Sequence, residues 1–208
     1  MRMTKIAAAV ALALSLSGCG YNQIQQLDEK AEQNKSNIGV ELTARNQLIP
    51  NMVATVKGAA EFERGTNVDV ARARAGQRVA AAEAQLNQAQ QQTRTAVESK
   101  DVQQLQTAEA AQTRAIGTYL NVAVEAYPNL RATQNFQGLQ DQLAESENRI
   151  AQARRDYNES VRAYNAYIRQ FPQAITAKVT GAQRKQPYQA PAGSEQAPTV
   201  DFSTDAKQ

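Results

Sequence analysis

From Ile24 to Ile168, apolar side chains return every three or four residues, and few glycines or prolines interrupt them. A period near 3.6 puts such positions on one face of a helix, whereas a half-buried strand would need strict alternation. The chain is thereby constrained to long rods that must bury a stripe against one another. Four such runs can be read. The first, about 22–63, carries Ile24, Leu27, Ala31, Ile38, Leu42, Ile49, Met52, Val56 and Ala59. Gly65 follows as a terminating residue, and Thr66-Asn67-Val68-Asp69 has the form of a capping box. The second run, about 67–98, carries Val68, Ala71, Ala75, Val79, Ala82, Leu86, Ala89, Thr93 and Val97. Its alanines let a neighbouring helix approach closely. Ser99-Lys100-Asp101 interrupts it, and Asp101 can cap the third run, about 102–126, with Val102, Leu105, Ile116, Tyr119, Leu120 and Ala123 inward. Pro128 ends that run. The fourth, about 133–171, sets Phe136, Leu139, Leu143, Ile150, Ala153, Tyr157, Val161, Tyr164, Ile168 and Phe171 close to a heptad spacing, and Pro172 stops it.

Short connections force consecutive runs to be antiparallel. The expected fold is all-α, a long antiparallel up-and-down four-helix bundle with coiled-coil-like packing over 19–172, its first and last helices side by side. Residues 173–208 hold Pro187, Pro191 and Pro198 with Gly193 and Ser194, and read as an irregular, partly disordered tail.

Histidine is absent throughout, which removes the commonest general base, the usual zinc ligand and every Ser-His or Cys-His arrangement. No metal or cofactor is expected. The formal net charge is +3, from 23 basic and 20 acidic residues. Charges interspersed at near-neutrality give no electrostatic reason to expect nucleic acid as a partner. Carboxylates are many, and sequence singles out no pair for acid–base work. A glycosidase-type pair stays open on spacing, but a long bundle offers little water-excluding shelter for one.

The N-terminus has its own signature. Residues 1–5 are short and basic, and Ile6 to Leu16 are almost wholly small or apolar. That run falls short of the roughly 20 residues a membrane-spanning helix needs, and suits the apolar core of a signal peptide. Leu16-Ser17-Gly18-Cys19 follows and resembles a bacterial lipobox. Cys19 is the single cysteine, so it can form no intramolecular disulfide and is the expected lipidation site. Residues 1–18 are then the lipoprotein signal peptide. Their loss removes Arg2 and Lys5 and leaves 21 basic against 20 acidic residues. Gly20, a non-Asp residue after the cysteine, resembles an outer-membrane sorting signal.

Several residues break the pattern. Arg45 and Asn34 fall in phase with the apolar stripe of the first run. An inward charge costs several kcal/mol unless paired. Antiparallel alignment brings Arg45 level with residues 145–150, so Glu147 or Glu145 is the expected partner. A buried structural pair that fixes register is favoured over a ligand-carboxylate site, because no Gly-rich loop or second basic residue converges there. Pro50, next to Asn51, sits inside a helical pattern and should kink or break it, freeing a carbonyl. Tyr157-Asn158 and Tyr164-Asn165 repeat one dipeptide a heptad apart, with rings expected inward and hydroxyls at the edge. The Gln-rich stretch from Gln85 to Gln92 reads as a solvated face.

Taken together, these residues resemble the LemA family. The resemblance lies in Arg45 with Leu48-Ile49-Pro50-Asn51-Met52-Val53 and Val56-Lys57, in Ala71-Arg72-Ala73, and in Tyr127-Pro128, Leu130, Phe136 and Leu139. It continues through Glu147-Asn148-Arg149-Ile150, Ala153-Arg154, Tyr157-Asn158, Val161, Tyr164-Asn165 and Phe171-Pro172 to Pro198-Thr199-Val200-Asp201-Phe202. It implies a helical bundle anchored at its N-terminus to a bacterial membrane, with no established enzyme activity, cofactor or substrate. Family members commonly carry an N-terminal transmembrane helix, and this chain shows a lipobox in its place. The resulting expectation is a non-enzymatic cell-envelope lipoprotein, an adaptor or scaffold whose partners are the membrane and other envelope proteins, itself included. It would be held at the cell membrane or outer membrane, facing the periplasm or cell exterior. The rival is a small-molecule or peptide-binding module near Arg45 and the Pro50 kink.

Overall fold

A computed structural model describes residues 2–64 and 70–189, with side chains described over 20–61 and 74–189. The described residues are mostly helical and contain no strand. The elements are α1 (Arg2–Arg64), α2 (Val70–Ser99), α3 (Val102–Ala126), a short 3₁₀ helix (Pro128–Ala132), α4 (Gln134–Tyr167) and α5 (Gln173–Thr180). The all-helical, bundle-like fold expected from the stripes is the fold observed. The capping box at 66–69 and the motif at 198–202 lie outside the described residues, as does the side chain of Cys19.

The chain divides into two compact units, with the boundaries falling inside α1 and α4. The larger unit comprises Gly39–Ile150. Contacts across its helices fix their directions. Asn46 meets Gln90 and Lys57 meets Glu83, so α1 and α2 run antiparallel. Arg78 meets Glu125 across α2 and α3, and Arg45 meets Glu147 across α1 and α4. Its core gathers Ile49, Met52 and Val56 with Leu86, Tyr119, Leu130, Phe136 and Leu139. Gly39 lies so close to α2 that a Cβ there would meet Val97 Cγ1 at 3.3 Å, which explains why the smallest residue stands at a buried position. The α2–α3 turn reverses at Lys100, whose φ of 54° lies in the left-handed region. Asp101 then caps α3 by accepting a hydrogen bond from the Gln104 amide at 2.8 Å.

The smaller unit comprises residues up to Ile38 with Ala151–Tyr188. Ile24, Tyr164, Ile168 and Ala177 form its core, with Leu27, Tyr167 and Ala182 against them. Asn34 Nδ2 donates to the Asp156 carbonyl at 3.1 Å, again joining antiparallel stretches of α1 and α4.

The structure departs from the sequence reading in three places. First, of the kink or break expected at Pro50, the break does not occur: α1 runs through Pro50, which is exposed. Second, α4 ends at Tyr167, four residues before the expected stop. The bonds from Arg169 to Ala166 and from Gln170 to Tyr167 tighten the chain into three-residue turns. Helical phase is lost there, and Phe171, expected inward, is 83% exposed. Third, residues 173–180, inside the stretch read as irregular, form α5, which closes on Gly181 at φ 72°. Residues 182–189 carry no regular secondary structure.

Candidate functional site

Arg45 is fully buried and lies at the centre of a polar network inside the larger unit. Its position one turn after Leu42 on the apolar stripe turns it inward, so its charge needs local partners. Nε donates to Gln112 Oε1 at 2.5 Å, and Nη1 donates to Thr113 Oγ1 at 3.2 Å and to Glu147 Oε1. Nη2 reaches the Glu109 carbonyl at 3.4 Å. Of the two candidate partners, Glu147 takes the ion pair, while Glu145 faces Arg149 at 3.7 Å. The Glu147 carboxylate is 42% exposed, so the pair runs from the core out to water.

The network extends beyond Arg45. Gln112 Nε2 donates to Asn46 Oδ1. Asn46 Nδ2 donates to the Gln90 carbonyl at 3.1 Å, and Gln90 Nε2 donates back to the Asn46 carbonyl at 3.2 Å. Proline has no N–H, so Pro50 leaves unmet the carbonyl four residues before it, which is that of Asn46. Gln90, a residue of the stretch read as a solvated face, supplies the missing donor. Asn51, by contrast, is exposed, and its carbonyl accepts from Thr55 Oγ1 at 2.8 Å. One chain of hydrogen bonds thus links Glu147 on α4, Arg45 and Asn46 on α1, Gln112 on α3 and Gln90 on α2. The charge of Arg45 on an apolar stripe, and the antiparallel alignment that sets Glu147 level with it, made two members legible in sequence. Gln112, Asn46 and Gln90 carry no signal that separates them from the other amides.

The second cluster belongs to the smaller unit. Asn158 and Asn165, one heptad apart on α4, each hold the backbone of the segment after α5. Asn158 donates to the Tyr188 carbonyl at 2.9 Å and accepts from its amide at 2.7 Å. Asn165 makes the same two bonds with Lys185, at 2.8 Å and 2.9 Å. The Tyr157 hydroxyl donates to the Gln186 carbonyl at 2.9 Å. The dipeptide repeat therefore reads as a clasp: each side-chain amide presents one donor and one acceptor and pairs with the amide and carbonyl of one backbone residue. Sequence placed the rings inward, and Tyr157 and Tyr164 are buried. It gave no hint that the chain itself supplies the segment the clasp holds.

Lys185 locks the clasp. Its Nζ lies 2.7 Å from Glu32, 3.1 Å from Asp28 and 5.4 Å from the centre of the Tyr164 ring. Burial alone would favour neutral Glu32, but hydrogen bonds from Lys185 and Lys35 outweigh it and hold its carboxyl below the usual range. Burial likewise opposes the Lys185 charge, and Glu32 and Asp28 overcome it, raising the ammonium above its ordinary value. Burial pushes Tyr157 up to about 12, partly offset by Lys185. In the larger unit, burial drives Tyr119 upward, and its hydroxyl has no hydrogen-bond partner among the described residues.

Among the described residues, no group of three or more His, Cys, Asp or Glu side chains is placed to hold a metal ion. No described helix is long and apolar enough to cross a membrane. Most donors and acceptors of the two polar clusters are met within the protein, which suits holding helices in register.

The family model of the LemA family matches residues 34–202. Magnetosome protein MamQ 2 and Magnetosome protein MamQ 1 of Paramagnetospirillum magneticum are each 36% identical to the chain over 75 residues, which is 36% of this chain. The chain spans only 28% of the length of either relative. Since the family match takes in both the Arg45 network and the Tyr–Asn clasp and covers most of the chain, the protein belongs to the LemA family.

Proposed function

We propose that the protein is a non-enzymatic cell-envelope lipoprotein, fastened to a membrane through acylated Cys19 and serving as an adaptor or scaffold for envelope proteins. One observation carries this reading. The single cysteine stands at the end of the apolar run Ile6–Leu16, and packed residues follow closely after it, with Gly20 buried and Ile24 1% exposed. Acyl chains on that sulfur would hold the bundle against the bilayer with no flexible spacer. Two polar networks met mostly within the protein suit a rigid body that presents surfaces more than one that turns over a substrate.

The rival reading, a ligand site at Arg45, has less behind it. Arg45 is fully buried, and a ligand carboxylate would have to displace Glu147 to reach it.

Radiolabelled palmitate fed to expressing cells, followed by detergent partitioning of the parent and Cys19→Ser, tests the anchor. The parent is expected to take up label and enter the detergent phase. Cys19→Ser should stay unlabelled, either aqueous or as the longer precursor. An unlabelled parent would overturn the anchor. In-cell crosslinking with mass spectrometry tests the scaffold role, and a chain crosslinked to neither envelope proteins nor itself would count against it.

A further inference from the structure

The smaller unit leaves one apolar edge uncovered. Five large hydrophobic residues are exposed among the described ones, and three of them follow at four-residue intervals: Phe171 at 83%, Ile175 at 58% and Val179 at 82%. Ile175 and Val179 lie one turn apart on the same face of α5, while Ala177 on the other side is buried in the core. α5 also lies beside Gly20 of α1. A Cβ on Gly20 would sit 3.7 Å from Thr176 Oγ1 and 3.8 Å from Gln173 Cγ. The face is therefore carried next to the residue that follows Cys19.

Charge identifies what covers it. Between Glu159 and Glu195 stand Arg162, Arg169, Lys178, Arg184 and Lys185, with no acidic residue among them. Elsewhere in the chain the two signs are interspersed. Lys185 is engaged by Asp28 and Glu32, whereas Arg162, Arg169, Lys178 and Arg184 are exposed, and Arg162, Arg169 and Arg184 line one open groove. Exposed apolar side chains on a stretch whose charged residues are all basic form the pattern of a helix lying in the plane of an anionic bilayer.

We propose that α5 and the turn before it form an interfacial foot. Phe171, Ile175 and Val179 enter the acyl boundary of an anionic phospholipid bilayer, and Arg169, Lys178 and Arg184 lie at the phosphates. The acylation proposed above puts the foot at the surface, and its own affinity for lipid is independent of that anchor. A second contact so close to the first turns a single tether into a fixed orientation, because the unit can no longer swivel about one point.

The chain has no tryptophan, so a single introduced one reports without background. Val179→Trp and, as control in the larger unit, Val40→Trp both replace exposed valines and leave the cores intact. With the full acylated protein on phosphatidylethanolamine–phosphatidylglycerol vesicles, Val179→Trp is expected to shift to the blue and be quenched by lipids brominated in the acyl chain. Val40→Trp is expected to do neither. In the Cys19→Ser background, binding to the same vesicles should persist more weakly, fall about tenfold when Ile175 and Val179 become Ser, and fall again in high salt. If Val179→Trp stays unquenched on vesicles that hold the acylated protein, the foot is overturned and the anchor stands. If Cys19→Ser binds as tightly as its parent with quenching retained, the anchor fails and the foot stands. Emission already blue-shifted without vesicles, together with a dimeric mass, would assign the face to a second copy and overturn the foot.

Discussion

At the scale of single residues, what matters is whether each buried polar group has partners. Arg45 is the sharpest case: a guanidinium at 0% exposure held by Gln112, Thr113, Glu109 and Glu147. Arg45→Ala should lose about 3–5 kcal/mol of stability, because it leaves those acceptors unmet and a void behind. Glu147→Gln should cost about 1 kcal/mol, since water already screens that carboxylate. Paired urea titrations check both, and equal losses would mean that Glu147 alone carries the network. The Lys185 cluster gives a pH signature. The Glu32 carboxyl is held below its ordinary value, so its contribution is present above that value and lost as pH falls through the lowered one. Lys185, held above its ordinary value, contributes below it and loses that contribution as pH rises through the raised one. Thermal melts of Lys185→Met against the parent should therefore converge at both acid and alkaline extremes and differ most between them. A constant difference across pH would refute the linkage.

At the scale of elements, the helices were legible wherever burial repeats. Ile38, Leu42, Ile49 and Met52 mark α1, and Phe136, Leu139, Ile150 and Tyr157 mark α4, because one face of each meets a core along its length. Legibility ended where periodicity did. Phe171 fits the heptad arithmetic of α4, but the chain had already left helical phase at Tyr167. α5 is eight residues long, rich in Thr, Ile and Val, and set in a proline-containing stretch, so propensity argued against it; burial of Ala177 in a tertiary core decided the matter. Arg45 announced itself as a charge on an oily stripe. Its amide partners did not, since a glutamine reads alike whether solvated or saturated. The α2–α3 turn yields a prediction at this scale. Lys100 holds a left-handed conformation that glycine adopts without penalty, so Lys100→Gly should raise the melting temperature, by about 1 kcal/mol of stability. A decrease would show that the lysine side chain contributes more than its backbone costs.

At the scale of the whole molecule, two units each hold a core and a polar device of their own, and α1 and α4 contribute to both. Damage to one device should register first in its own unit. Replacing both Asn158 and Asn165 by Ala removes four bonds to the 185–188 backbone and should cost about 1–3 kcal/mol. Hydrogen exchange would locate the loss: faster exchange at 157–188 with protection in α2 and α3 unchanged supports separate units, and uniform loss in both refutes them.

If Cys19 is trimmed and acylated as proposed, the burial of Gly20 also sets an order of events in biogenesis. A peptidase that cuts before Cys19 needs its target drawn out as open chain, yet in the finished fold that bond lies within α1, adjoining a residue already covered by α5. Trimming would then precede completion of the smaller unit, so the speed with which α5 settles would act as a clock on maturation.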